Sequence, residues 1–226
     1  MPIPIVIERG PKARKVVAYS VDWPGWSRGA KTAEAALATL EAYRARYREV
    51  ARRAGLDRDF DAGGPLEVGE ERVGTGSVDF WGISFSASAT EQAPLADDVL
   101  ERRIRLLRAA WELFDDVAAR VSPELRKGPR GGGRERDAIV RHVMRVETLD
   151  FASSLGLKIE EDAVPLTLET RHAHRDAYVA MMRDYNAGKV AKPMRSRTLP
   201  FLIRHTAFHT LDHAWEMEDR DITPGS

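Results

Sequence analysis

The N-terminal part of the chain shows the two-residue alternation of apolar positions that is typical of β-strands. Ile3, Ile5 and Ile7 alternate with other residues, and a β-branched and aromatic run follows at Val16–Tyr19. The turn cluster Asp22-Trp23-Pro24-Gly25 ends that run. In all, the pattern predicts five short strands, at residues 3–7, 16–19, 26–29, 66–73 and 78–86.

A helical pattern separates the third and fourth predicted strands. Thr32 is a suitable N-cap, and Glu34 in the first turn favours the helix dipole. The apolar positions that follow recur at helical spacing, at Leu37, Leu40, Tyr43, Tyr47 and Val50. Gly55 ends this predicted helix. The order β-β-β-α-β-β indicates a small α+β domain over residues 1–90.

Beyond residue 95 the apolar pattern becomes helical. Apolar residues recur at alternating spacings of four and three, the seam of a helix in an antiparallel bundle, at Leu100, Ile104, Leu107, Trp111, Phe114, Ala118 and Val121. Three further helices are predicted at residues 134–155, 167–186 and 199–219. The predicted fold class is therefore α+β, with the small domain joined through Ser86–Leu95 to an up-and-down four-helix bundle at 95–220.

Composition narrows the classes of function. The 226 residues include no cysteine, which excludes disulfides, thiolate nucleophiles and Cys-ligated metal sites. Lys+Arg and Asp+Glu are both 35, and the signs also balance within residues 1–95 and 96–226, so no nucleic-acid partner is expected. The apolar start is too short for a spanning helix and lacks the features of a signal peptide. These patterns predict a cytoplasmic protein with no membrane partner.

Histidine carries the strongest chemical signal. All six histidines lie between residues 142 and 213, and His205, His209 and His213 follow each other at intervals of four on the last predicted helix. Two imidazoles at i and i+4 share one helix face and can bind one metal ion. A third ligand must come from another helix, and His142 is the best candidate because it lies near Ile139 on the predicted inward face.

Other interpretations of the histidines remain open at this point. A single histidine on a helix face is usually structural. The zincin motif H-E-x-x-H is absent, since Thr206 and Thr210 follow His205 and His209. His172 and His174 lie two residues apart on the third predicted helix of the bundle, and we interpret them as surface or supporting residues.

The N-terminal part resembles the HicB-like family. The residues that carry the resemblance are Val17–Gly25, Trp26–Gly29 and Thr32–Ala36, which are similar to that family's strand, "D-x-PG" turn, short strand and "T-x-EEA" helix start. The resemblance covers about residues 1–90. It implies a partial ribonuclease H-like fold without the nuclease carboxylates, in a family whose typical members are antitoxins. The DNA-binding tail of those members has no counterpart here.

The C-terminal part resembles the DinB-like (DinB/YfiT) metal-binding four-helix bundles. The matching stretches are Ile139–Val143 with Glu147, and His205–Glu216, in a region of about residues 95–220. That family places one histidine on the second helix and H-x-x-x-H on the last. Carried over by position, the resemblance implies His142, His209 and His213 as metal ligands, with His205 outside the first coordination shell. The basic and amide residues usual after the last histidine are replaced by Ala214-Trp215-Glu216.

Two functions follow as hypotheses. The first is a metal-dependent enzyme acting on a small molecule, of the thiol S-transferase or hydrolase type that the DinB-like resemblance implies. The second is a non-enzymatic, HicB-like and antitoxin-related interaction module with a structural or vestigial metal site. Zinc is the first choice of divalent metal, and nickel or iron also suits imidazole ligands.

The remaining expectations concern acid–base groups and association. Candidate acid–base or supporting groups are Glu147, Asp212 and Glu216, although Glu147 need not share a face with His142, and no catalytic residue is assigned. We also expect a homodimer. It would form through apolar residues that the bundle seam leaves outside, Leu106, Leu113 and Val117.

Overall fold

The computed structural model describes residues 1–128, 133–190, 194 and 197–223. The described residues form a mixed sheet of four strands, β1 (Ile3–Arg9), β2 (Val16–Tyr19), β3 (Ser27–Ala30) and β4 (Leu66–Val73), in the order β3-β2-β1-β4. Strand β2 pairs antiparallel with β1 and β3, whereas β4 pairs parallel with β1. The parallel pairing is possible because the segment between β3 and β4 returns the chain to the end of the sheet at which β1 begins.

That returning segment is helical, as the sequence pattern predicts, but it is divided. It contains α1 (Ala33–Ala42), α2 (Arg44–Arg53) and the short α3 (Asp57–Asp61). The Thr32 hydroxyl caps α1 by accepting a hydrogen bond from the backbone N–H of Ala35. The expectation of a single helix up to Gly55 is therefore wrong, because the backbone leaves helical geometry at Tyr43.

The prediction of a fifth strand at residues 78–86 is wrong. Residues Gly76–Trp81 form helix α4, with Thr75 as the N-cap and Gly82 as a left-handed C-cap at φ +73°. The apolar alternation at 78–85 misled the prediction because two of the residues that carry it, Phe80 and Phe85, have exposed side chains and are not buried in a sheet.

An aromatic cluster fills the core between the sheet and helices α2 and α3. Trp26 stacks on Tyr47 with ring centroids 5.6 Å apart, and Phe60 packs edge-on against Trp23 at 4.8 Å. The indole N–H of Trp26 donates to the carbonyl of Leu40, so the buried polar atom is satisfied. The turn tryptophans are thus core residues.

Four longer helices follow. They are α5 (Asp97–Arg120), α6 (Arg136–Val146), α7 (Leu168–Asn186) and α8 (Leu199–Arg220). A π-helical segment, Glu147–Ala152, continues α6. The Thr167 hydroxyl caps α7 by accepting from the backbone N–H of Thr170. The four predicted helices are confirmed as helices, and their arrangement as an up-and-down bundle stays a prediction.

The chain divides into two compact units. The first is Met1–Ala109 with Ser196–Phe208, and the second is Ala110–Arg195 with His209–Ser226. This division falls inside α5 and α8 rather than within residues 86–95, so the domain boundaries at 1–90 and 95–220 stay a prediction. None of the described helices combines the length and the apolar character needed to cross a bilayer.

The side chains expected on the outer face of α5 are buried. Leu106 and Val117 are fully inaccessible and Leu113 is 6% exposed. The expected dimer surface is therefore wrong for these three residues, since a side chain covered within its own chain cannot contact a second copy.

Candidate metal centre

The three histidines implied as ligands lie together in the second unit. His142 is on α6, and His209 and His213 are one turn apart on α8. One ring nitrogen from each can be chosen so that all three lie within 4.8 Å of one another. The Nε2 atoms of His142 and His209 are 3.3 Å apart. Two nitrogens bound at about 2.05 Å to a tetrahedral ion lie about 3.3 Å apart, so the spacing fits a shared metal.

The same 3.3 Å separation also suits a hydrogen bond between the two rings. In that arrangement one Nε2 carries a proton and donates a hydrogen bond to the other Nε2. Burial, followed by the neighbouring His213, lowers the pKa of His142 to about 4, so this imidazole is neutral at pH 7. Metal coordination requires an unprotonated ring nitrogen, and a hydrogen bond between the two Nε2 atoms requires that one of them is unprotonated.

Glu216 orients the third ring. Its Oε2 lies 2.7 Å from Nδ1 of His213, and its Oε1 accepts from Arg220 at 2.8 Å. The hydrogen bond to His213 lowers the pKa of Glu216, so a carboxylate accepts a hydrogen bond from Nδ1–H and leaves Nε2 as the ring nitrogen that faces the other histidines as a potential ligand atom. A carboxylate behind a histidine in this way fixes the tautomer needed for a metal ligand. Among the candidate supporting residues, Glu216 therefore contacts a ligand, His213.

The π-helical segment supports the second ring. Phe151 packs edge-on against His209, with centroids 5.7 Å apart and an interplanar angle of 88°. A π-helical turn changes which side chains face a neighbouring helix, and such turns are frequent at functional sites.

His205 lies outside this cluster. It belongs to the first unit, is 4% exposed, and packs among Phe85, Phe201 and Phe208. Burial lowers its pKa to about 3. His205 is thus an uncharged core residue, consistent with its expected place outside the ligand set.

Glu147 contributes to a different cluster. This buried carboxylate accepts from the indole of Trp111 at 2.6 Å and from Arg175 at 3.3 Å, and Arg175 also donates to Asp115 at 2.6 Å. Burial raises the pKa of Glu147. Because its hydrogen bonds among the described residues go to this cluster, Glu147 is a structural candidate rather than an acid–base group of the histidine site. Asp212 is half-buried.

The interpretation of His174 needs correction, whereas that of His172 holds. The side chain of His172 is 59% exposed. His174 is only 5% exposed, and its Nε2 lies 3.7 Å from the carboxylate of Glu147. Burial lowers the pKa of His174 to about 4, so it belongs to the core as a neutral ring. The sequence gives no sign that His174 is buried, because it lies near Arg171 and Arg175 on α7 and arginines usually mark a solvated face.

Comparison with known proteins adds no relative from which a function could be transferred. No family model, curated protein or solved structure matches this chain. The DinB-like and HicB-like resemblances therefore stay predictions based on the motifs themselves.

Proposed function

We propose that this protein binds a divalent metal ion through His142, His209 and His213. We further propose that it is a DinB-like metal-dependent enzyme acting on a small molecule. The observation that carries the proposal is the convergence of the three ring nitrogens within 4.8 Å. Three imidazoles without any thiolate favour zinc, and nickel or iron also suits such a donor set.

The arrangement leaves room for chemistry. Three protein ligands fill three of four tetrahedral positions, and each of the three histidines is half-buried rather than enclosed. A divalent ion with an open position lowers the pKa of a water or thiol bound to it. The two oxygens of Glu216 contact His213 and Arg220, so this residue orients the site and is poorly placed to exchange protons. These features support a thiol S-transferase or hydrolase type of reaction.

The first test is metal content. The chain should be purified without a histidine tag, and zinc, nickel and iron measured per protein by elemental analysis. We expect about one metal ion per chain, loss of most of it in His209→Ala, and no change in His172→Ala, whose side chain is exposed. His205→Ala, which removes a core ring, should retain the metal if it folds. Equal metal content in the His209 and His172 variants would contradict the proposal.

The second test separates an enzyme from an interaction module with a structural metal. Cobalt-substituted protein should change its visible spectrum when a small thiol is added, because a thiol can occupy an open position. A spectrum that is insensitive to thiols and to other small ligands would indicate a closed shell and favour the non-enzymatic function. Where the spectrum changes, a screen of thiols with electrophiles follows.

A further inference from the structure

Strand β4 is an edge strand with a mostly exposed surface. Among the described residues only β1 pairs with it, and it stands at the end of the sheet order. Val68 is 39% exposed and Val73 is 67% exposed. An eight-residue edge that carries unpaired backbone N–H and C=O groups is a template for pairing with another strand.

A bulge decides which side chains of β4 share a face. Ile5 pairs with Val68 and Val6 pairs with Glu70, so Gly69 is the extra residue. Through their partners on β1, one face carries Leu66, Val68, Glu71 and Val73, and the opposite face carries Glu67, Glu70 and Arg72. Without the bulge, residues 66 and 73 would lie on opposite faces.

This distribution makes β4 complementary to itself. In an antiparallel pair related by a twofold axis between Gly69 and Glu70, Leu66 faces Val73 of the second copy, and Glu67 faces Arg72. Each pair lies on one common face of the joined sheet, which antiparallel pairing requires. A shift that brings Glu67 opposite Glu70 instead sets like charges against each other.

We propose that two copies of this chain associate through antiparallel pairing of their β4 strands in this register, which joins the two sheets into one of eight strands. The occupant is a second copy because Leu66 meets Val73 and Glu67 meets Arg72, once on each side of the twofold axis. Arg72 also donates a hydrogen bond to the Ala87 carbonyl of its own chain. The pairing gives hydrogen-bond partners to the backbone N–H and C=O groups on the outer edge of β4 and covers the side chain of Val73. It also places Val68 opposite Glu71 of the second copy. The proposal is independent of the metal site.

The register yields a matched pair of variants. Val68→Lys places an ammonium opposite Glu71 of the second copy, whereas Val68→Glu places two carboxylates together. Both variants lose the same valine, so the comparison isolates charge. With two symmetric pairs, we expect the dimer dissociation constant of Val68→Glu to exceed that of Val68→Lys by about tenfold. The ratio should approach one in high salt.

The measurement is sedimentation equilibrium of the full chain and of both variants. The same Lys and Glu substitutions at Val99, an exposed valine of α5 that is 37% accessible, serve as the control and should give equal dissociation constants. A monomeric unmodified chain at millimolar concentration would overturn the proposal. So would a dimer whose dissociation constant is the same in both Val68 variants, because a different surface would then hold the copies together.

Discussion

Replacing Glu216 tests whether the histidine cluster is organised as a metal site or only as a pair of hydrogen-bonded rings. The Glu216 carboxylate lies 2.7 Å from Nδ1 of His213 and is itself held by Arg220 at 2.8 Å. Glu216→Gln keeps the size of the side chain and removes its charge. Glu216→Ala removes the acceptor altogether, so His213 can rotate and can change tautomer.

The expected magnitude follows from the role of a carboxylate behind a metal-bound histidine. Loss of such a partner lowers metal affinity by about 10- to 100-fold. This corresponds to about 1.4 to 2.7 kcal/mol of binding free energy. We expect Glu216→Gln near the lower limit, because its amide oxygen still accepts from Nδ1–H, and Glu216→Ala near the upper limit.

The assay is a zinc titration in competition with a chromophoric chelator, with circular dichroism to verify that each variant folds. Glu218→Gln is the matched control, since Glu218 lies on the same helix and its carboxylate is ion-paired with Arg120. The control should bind zinc as the unmodified chain does. Zinc affinity of Glu216→Ala within twofold of the unmodified chain would refute the role of Glu216.

Two further predictions concern stability of the first unit. Arg204→Met should lower the free energy of unfolding by about 3 to 5 kcal/mol, because it leaves the fully buried carboxylate of Glu91, now 2.6 Å from Arg204, without its charge partner. In urea unfolding, the double variant with Glu91→Gln should recover part of this loss, and additive losses would contradict the pairing. Acid should destabilise the protein through His205, whose pKa is about 3 when folded and about 6.5 when unfolded, because the unfolded chain then binds more protons. Between pH 6 and pH 4, the free energy of unfolding of His205→Phe should therefore change less steeply with pH than that of the unmodified chain, by about 1.4 kcal/mol per pH unit. An equal pH dependence in the two proteins would count against this role of His205.

Local signals in the sequence predicted most of the helices and many of the element boundaries to within one residue. The pattern placed a helix at residues 199–219, and α8 is Leu199–Arg220. Thr167 caps α7 because a hydroxyl there can reach the backbone N–H three residues on. Strand β1 follows the apolar alternation, and β2 follows the β-branched and aromatic run at Val16–Tyr19. Where exposed aromatic residues imitate this alternation, at Phe80 and Phe85, the prediction of a strand fails, and residues Gly76–Trp81 form a helix that ends at Gly82.

The order of histidines along α8 is a property of the sequence, and so is their common helix face. Helical periodicity gives the angle at which a side chain leaves its own helix, but not which element covers that angle. The contact of Glu216 with His213 is local, because the two residues lie three apart on α8. Only the tertiary structure brings Nε2 of His142 to within 3.3 Å of Nε2 of His209. For the same reason, packing alone decided that Leu106 and His174 are buried. The sequence pattern placed Leu106 on an outer face and indicated a surface or supporting role for His174.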